Sequence, residues 1–557
     1  MWKVILKYCL VKHLLTVAAV CLSFSGHSQN FPPLTITIED TAATQGYYFL
    51  TPYTNTPPYI YDHAQLILDK LGRVIYYRIF SKGINPNPTI DFKLQPNGQM
   101  SYFNTNREKH IIMDSTFVIV DSIECANGFV TDQHDLLILP DNHYLLFGTE
   151  TRIMNLTSYH YFGINHTAPG GANAQVFGVV IQEFDENKDL IWEWKGHDHY
   201  QFGDVDPVWL SNPNKVDWTH ANAVERDIDG NILLSLRHFN EITKIDHETG
   251  DIIWRLGGKQ NQFTFPNDPI RFTGQHDIRR VSDTSVSLFD NGQYTTPRLC
   301  RGLEYSLDET NKIATLVWEY IYDSSMYSIA CGSHQYIENG NHLVDFGFTN
   351  NSGGFPWMVV VKPDQSKVLE IKYPTGYISY RAFNYPTLPW QLYRPVVGCQ
   401  KMGSDYFLVA EPGQTEYRWS TGDTSSSIQI TDTGEYWVFV PYGSGYLSSE
   451  HIIITDIMNP CIFTDVPSKD VTNDIDVRVL HNPATDYTRI LFHLPSSSQV
   501  IISMHSILGA GILNPIKGNY SAGQHEVIME SSSLNSGIYF LSIIVNETRI
   551  VKKLIIR

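Results

Sequence analysis

The chain has 557 residues, 42% of them hydrophobic, 13% aromatic and only 18% charged, with a formal net charge of −18 at pH 7. That length accommodates several domains, and the acidity excludes nucleic acid as a partner, because phosphate binding relies on basic patches. Short apolar segments separated by turn residues, with no long helical periodicity, predict an all-β protein.

The opening segment MWKVILKYCLVKHLLTVAAVCLSFSGHS has early lysines, an apolar centre and small residues near its end, so residues 1–28 read as a secretory signal peptide. Val20 is too bulky for the small residue expected before a lipidated cysteine at Cys21. Cleavage would remove three lysines and no acids, leaving 37 bases against 58 acids and a net charge of −21. No later run of 18 apolar residues follows, so no transmembrane span is expected.

From residue 29 to 395 two kinds of hairpin alternate. One kind opens on a histidine: His134 in HDLLILPDNHYLLFG, His220 in HANAVERDIDGNILLSL, His276 in HDIRRVSDTSVSLFD and His334 in HQYIENGNHLVDFG. The other turns on an aspartate and often closes in tryptophan, as in VVIQEFDENKDLIWEW (179–194), ITKIDHETGDIIWRLGG (242–258) and GLEYSLDETNKIATLVWEY (302–320). Weaker copies at 65–80, 115–124 and 357–373 bring the second kind to six, and this spacing predicts six four-stranded blades of a β-propeller. Residues 46–53 (GYYFLTPY) are expected to close the ring by pairing with 377–383 (YISYRAF). Equivalent positions in a ring would bring the four imidazoles to one mouth of a central channel.

Beyond residue 395 the pattern changes. YRWSTGDTSSSIQITDTGEYWVFV, within 396–458, resembles an immunoglobulin-like β-sandwich, a polar linker spans 459–475, and a last β-sandwich occupies 476–557. Asn482-Pro483 after a strand, the Gly537-Ile538-Tyr539 strand and Lys552-Lys553 near the end make this last segment resemble the C-terminal sorting domain of the type IX secretion system. The resemblance implies that the type IX machinery is a partner, that the protein passes through a Gram-negative periplasm, and that it is released or held at the cell surface. A chain of residues 29–395 is expected to suffice for activity. The cysteines beyond the signal region lack metal-site spacing, and an oxidising compartment permits Cys300–Cys331 and Cys399–Cys461 disulfides.

The chemistry lies in the histidine hairpins. His220 and Asn222 are two residues apart on one strand face, and Arg237 ends the partner strand, so imidazole, amide and guanidinium suit an oxyanion such as sulfate or phosphate. His276 sits in FTGQHD, followed by Phe289-Asp290-Asn291. His143, His238, His247 and His342 read as hydrogen-bonded structural residues.

The segments TDQHDLLILPDNHYLLFG, DWTHANAVERDIDGNILLSLRHFNEITKIDHETGDIIWRLGG, FTGQHDIRR with SVSLFDNG, and RGLEYSLDE, spread over about residues 46–385, resemble the arylsulfotransferase family. The resemblance implies a six-bladed propeller and ping-pong transfer of a sulfuryl group from an aryl sulfate donor to a phenolic acceptor, with no cofactor and no metal. It makes His276 the nucleophile, gives His220, Asn222 and Arg237 the sulfuryl oxygens, and has His134 assist binding or proton transfer. Ser333 and His334 fall at a matching ring position. The start of the predicted strands near residue 31 leaves no room for the separate N-terminal sandwich of some family members. Two other classes stay open: a quinone-dependent dehydrogenase, suggested by KIDHETGDIIW but expected to have eight blades, and a noncatalytic surface-binding propeller.

Overall fold

A computed structural model describes residues 31–460 and 477–556, apart from 39, 55–56, 58, 82–88, 163–164, 166, 338, 350–355, 391, 393, 459, 481–483, 485–486, 507–511, 513–515, 533, 536 and 546–547. The signal segment 1–28, nearly all of the linker 459–475, Cys461 and Asn482-Pro483 lie outside the described residues.

Six sheets, antiparallel but for the short strand Lys215–Asp217 added in parallel to the third, follow one another, each built outward from a first strand: Ala382–Tyr385, Ile90–Leu94, Val130–Ile138, Ala221–Arg226, His276–Arg280 and Ser333–Tyr336. Strands in these sheets are apolar on both faces, as in Ile232–Leu236, where all five residues are buried, so each sheet must be covered twice. Neighbouring sheets supply the cover. One apolar cluster joins the third and fourth sheets around Trp218 and Val224, and another joins the fourth and fifth around Trp254 and Tyr305. Further clusters join first to second, second to third, fifth to sixth and sixth back to first, which closes a propeller-like ring. The eight repeats expected of a quinoprotein are not found among the described residues.

Closure uses the two segments expected from the sequence: Tyr47 pairs with Tyr385, Leu50 with Ala382 and Tyr53 with Ile378. At the axis, the buried Arg381 guanidinium lies 3.1 Å from Asp91, 3.4 Å from Asp135 and 3.3 Å from Asp277, and also donates to the Asn222 carbonyl. One side chain thus ties the closing strand to the second, third, fourth and fifth sheets. Lys93 and Arg279 complete the charge balance around the three carboxylates. Removing one partner from so buried a network leaves an uncompensated charge, which typically costs about 3–5 kcal/mol.

Residues 397–454 form short strands around Trp419, Leu408 and Val438. They are not a detached spacer. Gly445–Ser448 adds to the outer edge of the first sheet, pairing Tyr446 with Tyr77 and Leu447 with Tyr76. Only glycine fits at 445, because a Cβ there would lie 2.4 Å from the Tyr77 carbonyl oxygen. Truncation after residue 395 therefore uncovers a strand edge and removes packing partners of Tyr77, Phe439 among them. We expect truncation after residue 458 to leave the thermal midpoint of the ring unchanged and truncation after 395 to lower it by several degrees; equal midpoints would show that the added strand stabilises nothing.

The C-terminal segment is a separate sandwich of a three-stranded and a four-stranded sheet. Alternation in Tyr487–Leu494, with every second residue buried, turns Ile490, Phe492 and Leu494 into its core.

The cysteine expectation needs correction. Cys125, Cys300 and Cys331 are free thiols: the Cys300 thiol faces the Met326 carbonyl, while Cys331 is turned toward the axis in a left-handed conformation (φ 65°). Cys399 is disulfide-bonded, with its partner outside the described residues.

Candidate active site

Three of the predicted histidines occupy irregularities in first strands. Register breaks at 132–135 in the third sheet and beside His276 in the fifth, and His220 itself has a positive φ of 46°. Such bulges re-aim side chains at the rim of a sheet. The sixth sheet has no such break at its start: Ser333 pairs with Asp345 and His334 with Val344 in regular register. His334 is accordingly turned between sheets, its Nδ1 3.0 Å from the Leu303 carbonyl and its Nε2 3.0 Å from His342, with Trp318 stacked beside it. The Ser333 hydroxyl donates to the Ala382 carbonyl and accepts its N–H, stitching the ring closed. The expectation of four converging imidazoles is thus corrected to three, and the axial position in the sixth sheet falls to Cys331.

His134 and His220 form a pair, ring centroids 5.0 Å apart and edge to face. Each is held by a carboxylate at Nδ1, His134 by Asp132 and His220 by Asp217, both at 2.5 Å, which leaves each Nε2 for other chemistry. Burial works against charge on both rings. For His134 the Asp132 carboxylate outweighs it and lifts the pKa above 6.5, whereas for His220 burial, with His134 and Arg237 nearby, prevails over Asp217 and the pKa falls. Together with Phe147, Phe177 and Val179 the two dyads line a cavity of about 110 Å³. An apolar cavity of about 150 Å³ holds benzene, so this pocket is near the size of one aromatic ring.

His276 differs from both. It is 2% exposed, and its Nδ1 lies 2.7 Å from the Asn291 side-chain oxygen, while Nε2 receives only a long N–H contact from Cys331 at 3.3 Å. Asn291 is oriented by donating to the Ser328 hydroxyl and the Cys331 carbonyl, so its oxygen must face the imidazole and Nδ1 carries the proton. Burial first, then Arg237 and the other two histidines, hold the His276 pKa well below 6.5. The ring is a neutral imidazole with its lone pair at Nε2.

Asn222 stands behind this residue. Its amide donates to the Gln275 carbonyl at 2.7 Å, fixing the segment that presents His276, and its own oxygen is buried without a partner.

Arg237 is the most informative member. It is 9% exposed, it reaches the Ile329 carbonyl at 2.8 Å and Gln293 at 3.3 Å, and its Nε–H is buried without an acceptor. The half-buried Arg279 and Arg280 and the buried Arg301 and Arg381 all pair with carboxylates, but among the described residues no carboxylate pairs with Arg237. A buried charge of this kind needs an anion.

The sequence reading missed His238, which stacks on His220 (4.5 Å) and lies 3.2 Å from the Arg237 guanidinium. It also missed Tyr380, 5.9 Å from His134 with its hydroxyl buried and unpartnered, and Cys331. Asp132 and Asp217 were legible as acids two and three residues before histidines, but Tyr380 and Cys331 reach the site from distant segments. Asp217, His220 and His238 could each offer a metal one ligand atom within 4.8 Å of the others. The adjoining guanidinium makes that trio a poor cation site and keeps the local field favourable to anions.

In structure the chain is similar to a protein of unknown function from Bacteroides caccae (10% identity, TM-score 0.38, covering 61% of this chain and 98% of that one). It is also similar to a virginiamycin B lyase from Staphylococcus aureus (9% identity, TM-score 0.31, covering 68% and 97%). No curated protein matches the chain. Residues 478–557 match a secretion system C-terminal sorting domain, which indicates a secreted or cell-surface protein, and among the described residues no helix is long and apolar enough to cross a membrane. Residues 36–381, from the outermost strand of the sixth sheet to the arginine at the axis, a span that carries His134, His220, Arg237 and His276, match the Arylsulfotransferase (ASST) family, and the chain belongs to that family.

Proposed function

We propose that the protein transfers a sulfuryl group from an aryl sulfate ester to a phenolic acceptor in two displacements, through a sulfohistidine at His276, without a nucleotide, cofactor or metal. The observation that carries this reading is the buried Arg237 guanidinium without a carboxylate, beside a neutral imidazole whose tautomer is set by Asn291. Nε2 of His276 attacks sulfur, the N–S bond forms as the ester S–O bond breaks, and the phenolate leaves with a proton from His134. The acceptor phenol then returns a proton to His134, its oxygen attacks sulfur, and the N–S electron pair goes back to Nε2. Arg237 donates to the peripheral oxygens, where charge is spread in a loose transition state, and His220 joins it from Nε2 once the incoming anion draws a proton onto its ring. Asn222 supports them by holding the His276 segment. Ser333 and His334, turned away from the axis, are left out of this mechanism.

Initial rates with a chromogenic aryl sulfate, at several phenol concentrations, should give the parallel lines of a ping-pong reaction. Intersecting lines, or no phenol-dependent release, would remove the mechanism.

The paired dyads also make pH a probe. Protonated His134 is the acid, so with a donor of weakly acidic phenol kcat should fall as pH rises through the His134 pKa, which Asp132 lifts above 6.5. Asp132→Asn removes that support and should move the falling limb to lower pH. An unmoved limb would assign the proton to another group.

The sorting domain and the type IX machinery that reads it belong to export in this reading, not to catalysis. Deletion of 476–557 should leave an active enzyme in the periplasm of the host, and secretion of that deletion at normal levels would refute the assignment.

A further inference from the structure

The rim beside Arg237 carries a second feature that the mechanism does not use. Trp209 lies over the Arg237 guanidinium at 4.2 Å and stacks on His238 at 4.7 Å. Its short helix, Pro207–Trp209, is held in place by Asp206, which accepts from the Val208 N–H and from the Asn240 side chain (2.8 Å) and whose own N–H donates to the His238 carbonyl. The indole N–H is buried without a partner. Tyr294, 44% exposed, meets Trp209 edge to face at 4.9 Å. Beyond it the exposed Arg298 sits over the rings of both Tyr294 (5.7 Å) and Tyr327 (5.3 Å). Although the chain is strongly acidic, among the described residues no carboxylate pairs with Arg298.

From solvent inward the order is therefore guanidinium, phenol ring, indole, guanidinium. Two cations left without carboxylates, separated by flat rings, match a ligand that is itself a flat ring bearing an anion. The rings offer stacking surface and the cations offer successive partners for the charge. We propose that Arg298, Tyr294 and Trp209 form an approach track that admits aromatic anions to Arg237, the donor ester being one. The identity of that anion as a sulfate ester rests on the sulfotransferase reading, but the binding of an aromatic anion does not.

The test uses the full chain and 2-naphthalenesulfonate, whose C–S bond prevents transfer, with neutral 2-naphthol as the control, both titrated calorimetrically. Arg298→Gln should weaken sulfonate binding roughly two- to fivefold and leave 2-naphthol unchanged. The loss should shrink as salt is raised, because the charge is exposed. Tyr294→Ala should weaken both ligands about two- to tenfold, and Trp209→Leu at least as much. If Trp209→Leu does not fold, the two exposed positions decide. Failure of the native chain to bind the sulfonate, equal binding in native and Arg298→Gln chains, or an Arg298→Gln chain that loses sulfonate and naphthol equally would overturn the track. A chain that binds the sulfonate through Arg298 but transfers nothing keeps the track and sinks the transferase. Intact transfer with binding indifferent to Arg298 and Tyr294 does the reverse.

Discussion

Replacing His276 with alanine should abolish transfer, lowering turnover on the order of 10⁴-fold or more, the scale of losing a nucleophile. Brief exposure of the native chain to an aryl sulfate without acceptor should add one sulfuryl mass to the peptide carrying His276, provided that digestion and analysis stay alkaline to protect the N–S bond. The alanine variant should carry no label. His134→Ala and His220→Asn should slow labelling without moving it, because in the proposed mechanism those imidazoles act on the leaving group and the peripheral oxygens. Protonation state sets His276 apart from His134. His134 is biased toward the imidazolium by Asp132, whereas His276 is kept neutral by burial and by Arg237, with a neutral amide rather than a carboxylate on Nδ1. Label on His134 or His220 in the native enzyme would sink the assignment even with activity intact.

Arg237→Lys should lose about 10²- to 10³-fold in turnover despite keeping the charge, the range typical of removing a fixed donor to developing negative charge. A guanidinium presents donors in a plane, and here that plane is set by Trp209 on its face and by the Ile329 carbonyl and Gln293 at its edge. A lysine ammonium can satisfy those acceptors or an incoming sulfuryl group, but it has no fork to serve both. The effect should fall on kcat more than on KM, because the second pair of contacts strengthens as charge spreads over the oxygens. Near-native turnover would return Arg237 to a structural role. Arg237→Gln, without charge, should be worse than lysine if anion binding is the function of the side chain.

Much of this site was legible because its residues are local in sequence. His220, Asn222 and Arg237 belong to one hairpin, with Ala221 paired to Leu236, so their proximity followed from two strands and one turn. His134 and His276 stood out because their hairpins repeat the same pattern. The misreading of His334 has a local cause: the repeat is visible in the letters, but the bulge that turns a side chain to the axis is not, and the sixth sheet lacks it. His238 was set aside because a histidine after an arginine carries no signal of its own. Its role comes from a short helical turn at Arg237–Phe239, which stacks its ring on His220.

Legible in the letters alone were the all-β class, the hairpin repeats, closure between 46–53 and 377–383, the sorting segment, and three histidines and one arginine that the fold brings near one another. The class, the repeats and the closure depend on alternation, turn residues and spacing, which act over a few residues, and the sorting segment and the site residues on short motifs that resemble known families. Only the tertiary structure decided the rest. Whether a guanidinium has a carboxylate partner depends on every sheet that reaches it, and this separates Arg237 from Arg381, which three aspartates surround at the axis. Whether an imidazole is neutral or charged depends on burial and on neighbours from other sheets, and this separates His276 from His134.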